Sequence, residues 1–306
     1  MHLAEGVLPL SQAAGWSLVA AAALGWSLRG EQRARQEETS SVIMSGATSL
    51  LFAATLIPLP VPVVGATSHI CLTPVLALVV GTRRIVWATF FVLLLQAVFF
   101  AHGGLTTLGV NTLTLGFMGP VATVALWSLL RRLGAQGTVG LGLACGLGGL
   151  LVYVVDAVVL AAALSDTAQP MVTFTGVVMG FAPVQVPLAV LEAAVSVGIV
   201  RLLSERRPDL LPESLHALGR ATLAGASTLA LLLVIGLSGC TYEGIDGSVF
   251  GAVAEAAGKP PTDSLVDLSQ GELGLAMSIV VLFGLGFVAG RSWEQAQLGS
   301  DDASAR

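Results

Sequence analysis

Nine apolar runs divide the chain, at roughly residues 12–28, 41–59, 70–82, 85–101, 110–130, 138–164, 176–203, 221–238 and 273–290, each bounded by Arg, Pro or Gly. A helix needs about 20 apolar residues to cross the hydrocarbon core of a bilayer. Most of the runs meet that length. With 55% hydrophobic and 11% charged residues over 306 positions, and a mean hydropathy of +0.86, no soluble core could absorb them. The expected fold is therefore an all-α, polytopic membrane bundle of about nine spans. Gly is abundant (36 residues) while aromatics are sparse, which suits helices packed closely through small residues. The 70–82 run is too short to cross alone. It is expected to start below the membrane surface, continuing the irregular segment PLPVPVVGATSH, because non-helical backbone is tolerated at depth only inside protein or beside a watery cavity.

The basic residues fix an orientation. Threaded alternately with the N-terminus outside, the spans place Arg29, Arg33, Arg35, Arg83, Arg84, Arg131, Arg132, Arg201, Arg206, Arg207, Arg220, Arg291 and Arg306 on one side. Lys259, the sole lysine, falls on the other. That is the positive-inside pattern, so the N-terminus is expected outside and the C-terminus in the cytoplasm. The net charge of −5 adds little, since charge is sorted by side. The same threading puts Met1, His2, Glu5, His69, His102, Asn111 and Asp166 at or just beneath the outer face. The polar stretch RRPDLLPESLHALGR, with His216, reads as a cytoplasmic linker. The chain is accordingly divided into a core of about seven helices, 1–208, and a two-helix segment, 209–306, with an acidic outer loop.

Several function classes are excluded. No GxxxxGK[ST] occurs, and GAVAEAAGKP at 251–260 has the wrong spacing, so the chain carries no ATPase motif. HExxH and GxSxG are also absent, against a membrane protease or esterase. Cys71, Cys145 and Cys240 are too scattered for a disulfide framework or a CxxC site. LSGC at 237–240 imitates a lipoprotein cleavage box but lies deep in the chain and reads as a helix end.

The chemistry-bearing residues gather near the outer face. The chain opens MHLAEG. The terminal amine, the His2 amide nitrogen and the His2 imidazole can close two small chelate rings around one ion, and a further imidazole would complete a square. Such nitrogen sites suit Ni(II) and Cu(II). Taken alone, His2 equally reads as a solvated terminal histidine. His69, in PVVGATSHICLTPV, is a candidate ligand at the start of the short helix, which Ser68 or Thr67 could cap; it equally fits an interfacial hydrogen-bonded ring. Cys71 reads as packing. His102 and Asn111, in FFAHGGLTTLGVNTLTLGFMGP, could line the site or serve a helix–helix turn. Asp156 and Glu192 lie within predicted spans, where carboxylates are costly and functional by default. They differ in depth by roughly 10 Å at ~1.5 Å per residue, which argues against a direct pair. Asp156 falls nearer the outside and Glu192 nearer the cytoplasm, where it could meet a partner subunit; each equally reads as a neutral, hydrogen-bonded group.

MHLAEG, GATSHICLTP and LLLQAVFFAHGGLTTLGVNTLTLGFMGP together resemble the cobalt/nickel substrate-capturing membrane subunit, or S component, of energy-coupling factor transporters. The likeness spans roughly residues 1–205. It implies that the ion is held by the terminal amine of Met1, by His2 and by His69; Ser68, His102 and Asn111 could stand around those ligands and orient them. The tail resembles the two-helix accessory subunit of cobalt-type members, here fused. The resemblance further implies a multi-pass protein of the cytoplasmic (inner) membrane, partnered by a transmembrane coupling subunit and two ATPase subunits. Co(II) or Ni(II) is then the cargo, with no cofactor, no catalytic residue and no nucleic acid. Ala4-Glu5 departs from the Pro-Asp of many nickel-type members, which bears on the metal rather than on the site. The rival from another class is a membrane enzyme using Asp156, Glu192, His69 and His102; a passive channel would need an inner polar stripe that is absent beyond Glu192.

Overall fold

The computed structural model describes residues 3, 5–34, 38–56, 59–61, 66–100, 102–164, 170–216, 256 and 258. Helices α1 (Leu10–Ala34) and α2 (Glu38–Leu56) lead into a small antiparallel ribbon of β1 (Leu59–Val61) and β2 (Ala66–Ser68), paired Leu59 to Ser68 and Val61 to Ala66. Helices α3 (Thr73–Val80) and α4 (Thr82–Phe100) follow, joined by Gly81 at φ 93°. Then come α5 (Leu108–Asn111), a π-helical segment (Thr112–Met118), α6 (Gly119–Arg132), α7 (Thr138–Leu164) and α8 (Pro170–Arg206). A 3-10 turn (Pro208–Leu210) and α9 (Glu213–His216) close the described core.

The first seven apolar runs thus become α1 to α8 in the expected order. Among the described residues, four helices are long and apolar enough to cross a membrane: 82–100, the continuous 108–132, 138–164 and 170–206. The eighth and ninth runs, Asp166, Lys259 and the acidic outer loop lie outside the described residues. The short helix behaves as expected in length. Eight residues of α3 span only about 12 Å, and the chain before it forms the two-stranded ribbon rather than more helix. Its capping differs from expectation, however. Helix α3 begins at Thr73, not beside His69; Leu72 occupies the cap position at φ 56° and no side chain of its own turn caps it. Ser68 belongs to β2 instead.

The π segment has a local cause. Pro120 has no N–H to return to the carbonyl four residues earlier, and the Gly119 N–H bonds Thr114 O, five residues back. The wider turn buries Thr112, Thr114 and Gly116 toward the bundle.

Two apolar clusters fill the bundle, the first reaching from Phe52 and Leu72 to the helix ends that carry the arginines. One joins Val80, Ile85, Trp127, Leu141, Val197 and Val200 with Leu211 and Leu215. The stretch that reads as a linker is therefore packed on the bundle as far as Leu215. Arg83, Arg84, Arg131, Arg132, Arg201, Arg206 and Arg207 flank this cluster. Here Ser27 Oγ donates to the Arg83 carbonyl, and the Arg83 guanidinium lies 4.8 Å from the Trp26 ring centre. The other cluster joins Leu3, Val7, Leu8 and Ala13 to Val110, Leu160, Leu164, Val177 and Phe181. The basic residues and the N-terminal segment consequently occupy opposite ends. Helices α7 and α8 form the most extensive pair between them.

Candidate metal-capture site

Leu3 and residues 5–8 do not lie on the surface as a free leader. Leu3, Val7 and Leu8 are buried, Leu3 completely. Three apolar side chains within six residues anchor the segment by burial alone, each stabilising by about 1.5–3 kcal/mol. Hydrogen bonds then set its register. The Leu3 N–H donates to Asn111 Oδ1 at 2.8 Å, and Asn111 Nδ2 donates back to Leu3 O at 3.1 Å. Thr107 Oγ1 also donates to Leu3 O at 2.7 Å, and Asn111 Nδ2 reaches Thr107 Oγ1 at 3.2 Å. An amide side chain, with a donor and an acceptor side by side, can pair with both polar groups of one backbone residue in this way.

A second set of bonds holds the next turn. The Thr106 N–H lies 3.2 Å from Glu5 Oε2, and the Gly6 N–H lies 3.4 Å from Thr106 Oγ1. Gly104 permits the approach: a Cβ there would stand 2.4 Å from Glu5 Oε2 and 2.7 Å from Glu5 Cα. This is why the 102–107 connection is rich in Gly and Thr. The glycine leaves room for backbone, and the threonines bridge to it.

His69 and His102 come together at the same end. Their ring centres are 5.7 Å apart and their planes are inclined by 65°, edge to face. His69 is buried at 5% exposure, between β2 and α3. Burial, reinforced by the neighbouring His102 ring, holds its pKa well below the usual 6.5. Burial likewise lowers His102 to about 4, opposed by the hydrogen bond its imidazole donates to the Thr55 backbone. Both rings are neutral at pH 7, the form in which an imidazole nitrogen can bind a metal. Behind them, Gln96 Nε2 donates to Thr55 Oγ1 at 2.7 Å and to Phe52 O at 3.3 Å, tying α4 to α2.

Of the expected site residues, the structure brings His69 and His102 into contact and places Asn111 on the backbone of Leu3. Met1 and His2 lie outside the described residues. Ser68 is seen only as part of β2. Cys71 is buried against Leu93, Leu115 and Val152, in extended chain rather than in a helix. Asp156, fully buried on α7, lies against Thr114 of the π segment. Of the two readings of Glu192, the structure shows the hydrogen-bonded one: it faces the interior, and its Oε1 accepts the Leu72 N–H at 2.9 Å. Among the described residues no three His, Cys, Asp or Glu side chains converge.

Sequence reasoning missed Thr107, Gln96, Thr55 and Gly104. Thr107 and Gly104 sit in the Gly/Thr block already singled out, and a threonine at i−4 from Asn111 in a helical register was the available signal. Gln96 and Thr55 gave none, since a polar residue within an apolar run does not reveal which neighbour it faces.

Comparison with known proteins places this arrangement. Residues 2–210 match the family model CbiM, described as the cobalt uptake substrate-specific transmembrane region. A cobalt transport protein CbiM of Geobacter sulfurreducens is 36% identical over 96% of this chain and 89% of its own length. Its namesake from Sorangium cellulosum is 37% identical over 69% of this chain and 94% of its own. Among solved structures, a truncated transition metal transporter superposes with a TM-score of 0.59 at 19% identity, covering 67% of this chain and 99% of that one, which shows a shared fold.

Proposed function

The chain belongs to the CbiM family of cobalt-uptake substrate-specific membrane components, and from that premise we propose that it captures Co(II) or Ni(II) on the outer side of the cytoplasmic membrane with its own N-terminus. The ligands in this reading are the Met1 α-amine, the His2 amide and imidazole nitrogens, and the His69 imidazole. One observation carries it: Asn111 and Thr107 lock the backbone of Leu3, the residue covalently joined to His2, at full burial. A chelate built from a chain terminus needs such a fixed point, because an untethered terminus would lose several rotatable bonds' worth of entropy on each capture. The neutral, buried His69 ring at the same end supplies the remaining nitrogen. Asn111 then acts through Leu3, and His102 packs and orients His69.

The arginine-bearing end faces the cytoplasm in this reading, following the positive-inside rule. The chain moves its ion as one subunit of an energy-coupling factor importer, with a transmembrane coupling subunit and two ATPase subunits supplying the work. Its own sequence offers no nucleotide-binding loop. The 209–306 segment is a fused accessory unit. In support, the family model ends at residue 210, and the Sorangium relative covers 69% of this chain whereas the Geobacter relative covers 96%.

Purified full-length protein offered Co, Ni, Cu and Zn together tests the capture reading. Stoichiometric Co(II) or Ni(II), lost in both His2→Ala and His69→Ala, is the expected result. One alanine inserted before His2, or an N-terminal tag, removes the correctly spaced amine and has a comparable effect, while a C-terminal tag has none. Retention of full affinity with a blocked N-terminus refutes the ligand set. Thiolate-to-metal charge-transfer absorption would instead bring Cys71 into it.

A further inference from the structure

We propose that Glu192 is the positioning residue for His69: a carboxylate on α8 that fixes the ion-binding segment by capping the backbone of Cys71 and Leu72. The inference rests on the reading of His69 as a ligand and extends it to a residue on a different helix.

The argument begins with an orphaned helix start. The first N–H groups of an α-helix have no partner within the helix. In a bilayer each must find one, since no water is at hand. Helix α3 cannot cap itself, because Leu72 stands at its cap position with no acceptor and with φ 56°. A non-glycine residue rarely adopts that left-handed conformation unless its surroundings impose it. The surrounding group here is the Glu192 carboxylate. Its Oε1 accepts the Leu72 N–H at 2.9 Å, and the Cys71 backbone bonds the same carboxylate. An anion at the positive end of a helix is favoured in addition by the helix dipole.

The interior is shaped to admit this carboxylate. Glu192 is only 2% exposed, and Gly149 on α7 faces it. A Cβ at Gly149 would stand 2.9 Å from Glu192 Oε2, so the glycine lets the carboxylate lie against α7 in this position without shifting. Intramembrane carboxylates are expensive and are kept where they act.

The consequence falls on His69. On its N-terminal side the chain is held at Ser68, which pairs with Leu59 in the ribbon. On its C-terminal side it is held at Cys71 and Leu72 by Glu192. Only His69 and Ile70 lie between the two clamps, so the imidazole is presented from a short, doubly fixed loop rather than from a helix. Release of the Glu192 clamp frees one end of that loop and lets the ring leave its ligating position.

The test uses the full chain in detergent with Co(II) as the probe, following affinity and the d–d absorption of the bound ion. Met at 192 has nearly the length of Glu but no acceptor, whereas Gln retains one oxygen for the Leu72 N–H. E192M should bind Co(II) about tenfold or more weakly, the range seen when groups that orient a ligand are removed, with E192Q within about threefold of wild type. E192M should also show shifted d–d bands, reporting altered ligand geometry. Val200→Ala, in the α8 core away from the site, controls for general loosening of the helix and should leave both readouts unchanged. E192M binding as wild type with unshifted bands overturns the proposal, and so does E192Q as weak as E192M. If E192M does not accumulate, E192D, which keeps the charge but falls one methylene short, replaces it under the same criteria. His69→Ala is measured in parallel. Full affinity there refutes the ligand reading itself, whereas its loss beside an unaffected E192M refutes only the role of Glu192.

Discussion

Asn111→Ala is the most informative single change, because its cost can be partitioned from the structure. The substitution deletes the acceptor of the Leu3 N–H and one of two donors to Leu3 O, which keeps its 2.7 Å bond from Thr107. A buried N–H left without a partner costs about 1–3 kcal/mol, and the second lost bond about 0.5–1.5 kcal/mol. The clamp is therefore worth about 2–4 kcal/mol. Burial of Leu3, Val7 and Leu8 together contributes about 5–9 kcal/mol. Burial wins, so Leu3 and residues 5–8 stay docked in Asn111→Ala while Leu3 loses its register. The expected outcome is a folded protein whose Leu3 amide exchanges faster with solvent deuterium and whose Co(II) affinity falls roughly 10–100-fold, as for other groups that hold a ligand in place. Asn111→Asp retains an acceptor for the N–H but sets a second oxygen against the Leu3 carbonyl, and should be no better than alanine. Wild-type Co(II) affinity in Asn111→Ala, measured by titration with exchange at Leu3 visibly accelerated, would refute the link between this clamp and the ion site.

Gly104→Ala pushes a methyl group into the Glu5 backbone, 2.7 Å from its Cα; overpacking of this kind costs about 1–3 kcal/mol, and weakened Co(II) binding together with a lower melting temperature is the expected readout. The ion-free protein should lose stability as pH falls from about 6.5 to about 4, because the unfolded chain protonates His102 in that window while the folded one, with its pKa at about 4, does not. His69 acts in the same direction, and melting curves of His102→Gln should be flatter over that range. For topology, in a background lacking Cys71, Cys145 and Cys240, Ser11→Cys should react with an impermeant thiol reagent from outside intact cells and Gln136→Cys should not. Both positions are exposed, at opposite ends of the bundle, and the reverse labelling would invert the orientation.

Much of this protein is determined by one-dimensional information. The spacing of apolar runs sets α1 to α8, since in a bilayer any run of sufficient length must close its own backbone hydrogen bonds as a helix. Arginine placement separates the two ends, because the cost of moving a cation across the membrane depends on the residue and hardly on its neighbours. The short 70–82 run and the prolines before it announce an interrupted element for the same local reason. What the tertiary structure alone decided are the partners of single polar groups. Asn111 was legible as a polar residue near the outer face, but its two hydrogen bonds with Leu3 span 108 positions in the chain. Glu192 was legible as a carboxylate inside a predicted span, nearer its cytoplasmic end, but not as the partner of any particular group. It turned out to cap a helix 120 positions away, because α3 starts deep in the bundle and because Gly149 leaves a hole at that depth. No pattern along the chain encodes such pairs: each depends on which faces of non-adjacent helices meet, and that is set by packing of the whole bundle.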